Sequence, residues 1–413
     1  MDPSGATDGA ADILIENGRI LSVGPAPGEA GLTIDAAGMI VCPGLLDIHV
    51  HLRDPGDPRE ETVETGARAA VAGGFTGIAC MPNTDPPLDD PALVRSIAEK
   101  AAAAGLAGVH IIAACTMGRE GEKIADMEAL AAAGAAGFSD DGGWIHDRDL
   151  MKEILVRAKK LGLPVLSHCE DTSVSRSGVM HRGAVSDALG LPGIPARAEN
   201  EAVARDIELA EETDARLHVM HVSTAAAADL IRKARTRGVK VTAEAAPHHL
   251  ALTDEDVRSM DPRFKMNPPL RGADDREGLR EGLADGTIDC IASDHAPHTA
   301  EEKARGFRDA PFGCIGLETV LPIALELVEN GVISLTGALA CLTCNPARVL
   351  GLDRGTLRPG AVADVTVFDP SEEWTVDVST FESKSRNCPF QGRRVKGRAK
   401  HVIVAGQVKL PFP

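Results

Sequence analysis

Tyrosine is absent from this chain of 413 residues, and aromatic residues make up only 3% of it; neither shortage carries a functional reading of its own. Cysteine spacing of the kind that frames a disulfide scaffold is also missing. The nine cysteines are odd in number and scattered. Most sit in apolar runs, as Cys80, Cys169 and Cys290 do, which predicts reduced, buried thiols and a cytoplasmic protein. Cys341-Leu342-Thr343-Cys344 stands alone as a close pair, so core packing is expected there rather than zinc or redox chemistry. Positive charge is in short supply: 43 Lys and Arg against 61 Asp and Glu give a net charge of −18. That balance argues against a nucleic-acid or anionic-membrane binder. An anionic substrate would need local positive charge from a metal or an arginine. No apolar run reaches transmembrane length, and Met1 to Ala11 lacks the charged start and apolar centre of a signal peptide.

What is present, at 44% hydrophobic content, suffices for a large α/β barrel and a smaller unit. Short strands are predicted at 13–16, 18–24, 32–35 and 39–41, with Asn17-Gly18 as a hairpin turn. The texture returns at 363–368 and 401–408. Residues 1–45 and 353–413 are therefore expected to form one small β-sandwich domain from both termini. Between them, over 46–352, helix and strand patterns alternate. Helices are expected at 61–72, 91–104, 124–133, 150–161, 200–213, 225–238 and 276–284. The strands are expected at 45–52, 75–81, 109–114, around 136–141, and at 164–168, 216–222, 239–244 and 288–293. Eight β-α repeats imply a parallel sheet closed into a (β/α)8 barrel, with its extra length in loops 171–199 and 296–316.

Active sites of such barrels lie at the C-terminal ends of the strands, and metal-ligand residue types recur there. In Leu45 to Leu52, residues two apart share a face, so His49 and His51 project together with Arg53 next on that side. A bare His-x-His is weak evidence, being equally a pair of rim histidines. Asp140-Asp141 end strand four, His168 strand five, His221 strand six and Asp294 strand eight, followed by His295 and His298. Adjacent Asp140 and Asp141 should face opposite ways, so one is expected to reach the site. Imidazole and carboxylate without thiolate suit zinc in an open catalytic site. Six such donors exceed one tetrahedral ion, so two metals about 3.5–4 Å apart are expected. His248 and His249 could be supporting donors or structural. His110, His146, His181, His218 and His401 have no ligand logic, and alternation puts His218 on the opposite face from His221.

The motifs resemble those of the dihydroorotases of the amidohydrolase superfamily, of the bacterial type with aspartate where relatives use a carboxylated lysine. They run from Asp47-Ile48-His49-Val50-His51-Leu52-Arg53-Asp54-Pro55-Gly56 through Met81-Pro82-Asn83-Thr84, Phe138-Ser139-Asp140-Asp141-Gly142 and Ser167-His168-Cys169-Glu170-Asp171. They continue in His221-Val222-Ser223-Thr224, Lys265-Met266-Asn267-Pro268-Pro269-Leu270-Arg271 and Ala292-Ser293-Asp294-His295-Ala296-Pro297-His298. The resemblance implies two Zn2+ per chain: His49, His51 and Asp294 at one, His168 and His221 at the other, and Asp141 bridging. It places Arg53, Asn83, Asn267 and His298, with backbone near Phe312-Gly313, on the substrate, beside His51, and gives Asp294 the proton transfer. It implies reversible cyclisation of N-carbamoyl-L-aspartate to L-dihydroorotate in pyrimidine synthesis, a small-molecule substrate, and room for a homodimer or for association with aspartate transcarbamoylase. The competing expectations are a hydantoinase, dihydropyrimidinase or allantoinase, or an inactive dihydroorotase-like partner of aspartate transcarbamoylase. The first group typically has a carboxylated lysine on strand four, absent here, and the second loses metal ligands.

Overall fold

The computed structural model of the chain describes residues 1–5, 8–25 and 30–412. Eight strands form one parallel sheet in sequence order: β1 Leu45–Val50, β2 Phe75–Cys80, β3 Gly108–Ala114, β4 Ala135–Ser139, β5 Val165–Ser167, β6 Leu217–Val219, β7 Val241–Ala245 and β8 Cys290–Ile291. A parallel bridge between Val50 and His295 joins the two edges, reinforced by His51 N–H donating to His295 O at 2.8 Å. The sheet is thereby a closed (β/α)8 barrel with no exposed edge. Its interior is filled by Leu46, Ile48, Ala79, Met81, Ile112, Leu166, Met220, Cys290 and Ala292, all buried.

The connecting helices start and stop where capping chemistry allows. Asp90 caps Pro91–Ala104 by accepting from Ala92 N–H, and Gly105 closes it at φ 61°. The helix expected over 124–133 is shorter, Met127–Ala132. Asp126 accepts from Ala129 N–H and so fixes the start, while Ile124 bridges to Thr116 as extended chain. Loop 171–199 carries two short helices, Thr172–Ser175 and Ala184–Leu189, and a small parallel ladder of Met180–His181 on Gly193–Ile194.

Both ends of the chain build the second, antiparallel unit. Ile40–Pro43, Val365–Thr375, Arg394–Val404 and Gln407–Leu410 form one sheet, and Asp12–Glu16 with Arg19–Gly24 forms a hairpin. The hairpin turn has Asn17 at φ 50° and Gly18 at φ 75°, the two positive values that a type I′ turn needs. Ile20, Leu357, Ala363, Val365, Val367 and Ile403 form the core of the unit. The strand expected at 32–35 does not form: Leu32 is 70% exposed and that stretch pairs with no described strand. The nine cysteines are all free, eight of them buried. Among the described residues no helix is long and apolar enough to cross a membrane.

Candidate metal centre

The C-terminal ends of β1, β4, β5, β6 and β8 bring six imidazole and carboxylate groups together. Asp141 lies at the middle. Its Oδ1 is 3.6 Å from His49 Nε2, 3.6 Å from His168 Nδ1 and 3.9 Å from His221 Nε2, and its Oδ2 is 3.7 Å from His51 Nε2. Asp294 Oδ1 is 3.0 Å from His51 Nε2 and 3.5 Å from His49 Nε2. His168 Nδ1 and His221 Nε2 are 2.9 Å apart. All six residues are buried. Two subsets, His49–His51–Asp294 and His49–Asp141–His221, each place one donor atom per residue within 4.8 Å of the others.

The backbone is held out of its ordinary range to achieve this. His221 has φ 32°, Asp294 φ 48° and Arg53 φ 54°. Such values are costly for residues other than glycine, and they cluster at functional sites. The adjacent aspartates separate as pleating requires. Asp140 turns away, accepting from Cys115 N–H at 2.9 Å, from Thr116 N–H at 3.1 Å and from the Thr116 hydroxyl.

A cation suits this cluster on two grounds. His49 Nε2 and Asp141 Oδ1, 3.6 Å apart, are both buried without a hydrogen-bond partner. Buried polar atoms are ordinarily satisfied, so atoms aimed at a shared space indicate a missing ligand. The electrostatics agree. Burial alone would lower the His49 and His168 pKa values, but neighbouring carboxylates outweigh it and push each up to about 10. Burial, with His168 and His49 nearby, pushes His221 down to about 3. Asp141 is held well below the usual carboxylate range: burial acts against this, and His168, His49 and His51 override it. The carboxylates thus demand positive charge, which protons on imidazole or bound cations can supply.

Two carboxylates that motif reading did not single out hold the imidazoles. Glu244, on β7, accepts from His49 Nδ1 at 2.5 Å and from His218 Nε2 at 3.1 Å. His218, without a role in the sequence, therefore helps fix the group behind His49, and its Nδ1 is 2.9 Å from Thr242 Oγ1. Glu170 accepts from His168 Nε2 at 3.1 Å and from Asn267 Nδ2 at 2.6 Å. Its place two residues past His168 was the one available signal; Glu244 offered only its position at a strand end. A carboxylate behind a ligating imidazole sets tautomer and basicity, and its loss typically costs about 10–100-fold in metal affinity. Glu244→Gln is expected to weaken metal binding by about that factor with the fold retained. Titration of the stripped protein with Zn2+ checks this, and unchanged affinity would contradict it.

The residues expected on the substrate divide. Arg53 lies at the mouth: its Nε donates to Pro297 O at 3.2 Å, its Nη2 is 3.4 Å from His298 Nε2, and no described residue accepts from Nη1. Glu60 is 3.9 Å away, and Asp54 pairs instead with Lys100. His298 joins the same corner, with Nδ1 2.9 Å from Glu60 Oε1 and Nε2 2.8 Å from Phe312 O. Asn83 is turned toward the donor cluster, its Oδ1 2.7 Å from His51 Nδ1 and its Nδ2 donating to Asp141 Oδ2 at 3.2 Å. Asn267 leaves its Oδ1 unpartnered. Gly313 N–H is already given to Lys265 O at 2.8 Å, so of this pair only the backbone path lines the corner. His249 Nε2 donates to Pro268 O at 2.9 Å and His248 Nδ1 is 3.6 Å from Cys314 Sγ, which makes both supports of the loops around the site. His295 binds Glu61 at 3.2 Å and accepts from Gly316 N–H at 3.2 Å, outside the cluster.

Comparison with known proteins places the chain. Residues 40–409 match the model of the amidohydrolase family. A dihydroorotase of Geobacter sp. (strain M21) is 51% identical over 410 residues, covering 99% of this chain and 96% of that protein. A dihydroorotase of Pelotomaculum thermopropionicum is 51% identical over 410 residues, with the same 99% and 96% coverage. Among solved structures, an L-hydantoinase from Arthrobacter aurescens superposes with TM-score 0.86 at 30% identity, covering 96% of this chain and 92% of its own. A dihydropyrimidinase from Brevibacillus agri superposes with TM-score 0.81 at 26% identity, covering 96% and 91%. The fold is thus shared across cyclic-amide hydrolases, while sequence identity is far higher to one group: the chain belongs to the amidohydrolase family and, within it, to the dihydroorotases.

Proposed function

We propose that this chain interconverts N-carbamoyl-L-aspartate and L-dihydroorotate, with two zinc ions held by His49, His51, Asp294, His168 and His221 and bridged by Asp141. The observation that carries the reading is the convergence of four imidazoles on Asp141, with Asp294 beside two of them and Arg53 at the rim. When bound, zinc would lower the pKa of a water to about 7 and polarise the amide carbonyl.

The chain's own groups do the rest. His49 and His168, backed by Glu244 and Glu170, hold their rings fixed. Written as ring opening, Asp294 accepts a proton from the attacking water and returns it to the leaving ring nitrogen. Its carboxylate sits at the cluster's edge, 3.0 Å from His51 Nε2. Arg53 takes the substrate carboxylate: its guanidinium fork suits bidentate binding of that group, and Nη1 is free for it among the described residues. His298 shares that corner with Arg53, while Asn267, tied to Glu170, borders the site on the His168 side.

Arg53→Ala is expected to raise KM for dihydroorotate at least about tenfold, the loss of a charge-assisted hydrogen bond, with metal content unchanged. Unaltered kinetics would remove the clamp. Parallel assays on dihydroorotate, hydantoin and allantoin test the substrate itself. Dihydroorotate is expected to be turned over far faster, because Asp141 rather than a lysine occupies the strand-four position and Arg53 matches an acidic substrate. Two further parts of the reading are a cytoplasmic location, which the free thiols suit, and assembly as a homodimer or with aspartate transcarbamoylase. Light scattering of the protein alone and mixed with that enzyme checks the assembly.

A further inference from the structure

The segment 382–388 belongs to the C-terminal part of the chain, between the strands Val365–Thr375 and Arg394–Val404, yet it is tied to the barrel mouth. Glu318 Oε1 accepts from Glu382 N–H at 2.9 Å and from Ser383 N–H at 3.2 Å. Ser383 Oγ donates to Glu61, and Ser385 Oγ donates to Glu60 O at 2.8 Å. At its end lies Asn387, 4% exposed. Its Nδ2 donates to Ala296 O at 2.9 Å and to Gly313 O at 3.1 Å, and its Oδ1 accepts from His298 N–H at 3.3 Å. Its own carbonyl accepts from Ile315 N–H at 3.2 Å.

One amide group therefore spans two loops. Ala296 and Gly313 lie on neighbouring rungs, with Ala296 N–H donating to Cys314 O at 2.8 Å, and a Cβ added at Gly313 would lie 2.6 Å from Ala296 Cβ. The two segments approach too closely for a side chain to sit between them, and the Asn387 amide adds a tie across both from the side. Both N–H groups of the carboxamide point at the two carbonyls while its oxygen holds the His298 backbone. A residue with only a donor or only an acceptor could not do all three.

We infer that Asn387 is a positioning residue that holds His298 and the Phe312–Gly313 backbone in register with Arg53 for the substrate. The candidate substrate corner is thus completed by the C-terminal segment and not by the barrel alone. This rests on the dihydroorotase reading, since His298 is placed on the substrate by it.

The test compares wild type, Asn387→Ala, Asn387→Ser, His298→Ala and the His298→Ala/Asn387→Ala double variant. Zinc per chain, melting temperature, and kcat and KM for dihydroorotate are measured for each. Asn387→Ala is expected to raise KM about tenfold or more, since displacement of a positioning group by about an ångström can cost up to ~10² in rate or binding. Its kcat should stay within a few-fold and its zinc content unchanged, with Asn387→Ser between it and wild type. In the His298→Ala background the same change should have little further effect, as expected for groups acting through one another. Equal effects in both backgrounds, an unchanged KM, or loss of zinc or of the fold in both Asn387 variants would overturn the positioning role. Hydrogen exchange over 295–298 and 312–316 gives a readout independent of activity. It should speed up in Asn387→Ala even if wild type proves inert on dihydroorotate, which would instead defeat the substrate reading.

Discussion

Asp141→Asn is expected to strip the site of metal and lower dihydroorotate turnover by about 10³-fold or more, the equivalent of roughly 4 kcal/mol of transition-state stabilisation. Asp140→Asn, one residue earlier, should leave zinc content near normal. The difference follows from where each side chain goes. Asp141 lies within 4 Å of four imidazoles, three through Oδ1 and one through Oδ2. Removing its charge takes away the central anion against which any cation is held. Asp140 spends its oxygens on Cys115 and Thr116, behind the barrel rim. Asparagine keeps one acceptor for the Cys115 and Thr116 N–H groups but sets an amide NH2 where Oδ2 takes the Thr116 hydroxyl, which lowers stability by about 1–3 kcal/mol without touching the cluster. Zinc analysis and melting curves on the two purified variants separate these outcomes. Equal metal loss from both, or from neither, would mean that Asp141 is not the bridging group.

Asp294→Asn is the second large effect. Carboxamide cannot carry a proton between water and the ring nitrogen, and general acid–base catalysis of this kind contributes about 10²–10⁴ in rate. The same substitution weakens one donor of the His49–His51–Asp294 subset. Measuring kcat under saturating zinc removes the second contribution. A loss that persists there belongs to proton transfer, whereas recovery to near wild-type kcat would reduce Asp294 to a ligand.

Much of this was readable from the chain because the relevant signals are local. Apolar runs such as Leu45–Val50 and Phe75–Cys80 bury every residue, and glycine or proline breaks them at each end. The fixed direction of β-α repeats then puts His49, Asp141, His168, His221 and Asp294 at one end. What escaped were groups whose meaning exists only through space. Glu244 is 195 residues from His49, and nothing in its neighbourhood announces a carboxylate aimed at an imidazole. Asn387 is 91 residues from Ala296 and lies in what reads as the edge of another unit. Alternation puts His218 on the face opposite His221 and gives it no role, yet it reaches Glu244, the same carboxylate that holds His49 and accepts from His221 N–H. Residues 32–35 have the alternation of a strand but no partner strand among the described residues, so tertiary context decides against it.

The central claim is that this barrel mouth holds metal and that the metal-loaded chain opens dihydroorotate. Zinc per chain, measured before and after chelation alongside the rate of dihydroorotate ring opening, tests it most directly. About two zinc ions per chain are expected in the loaded protein, with turnover lost on stripping and restored by adding Zn2+. Full turnover in metal-free protein, or a zinc-loaded protein inert on dihydroorotate, would contradict it.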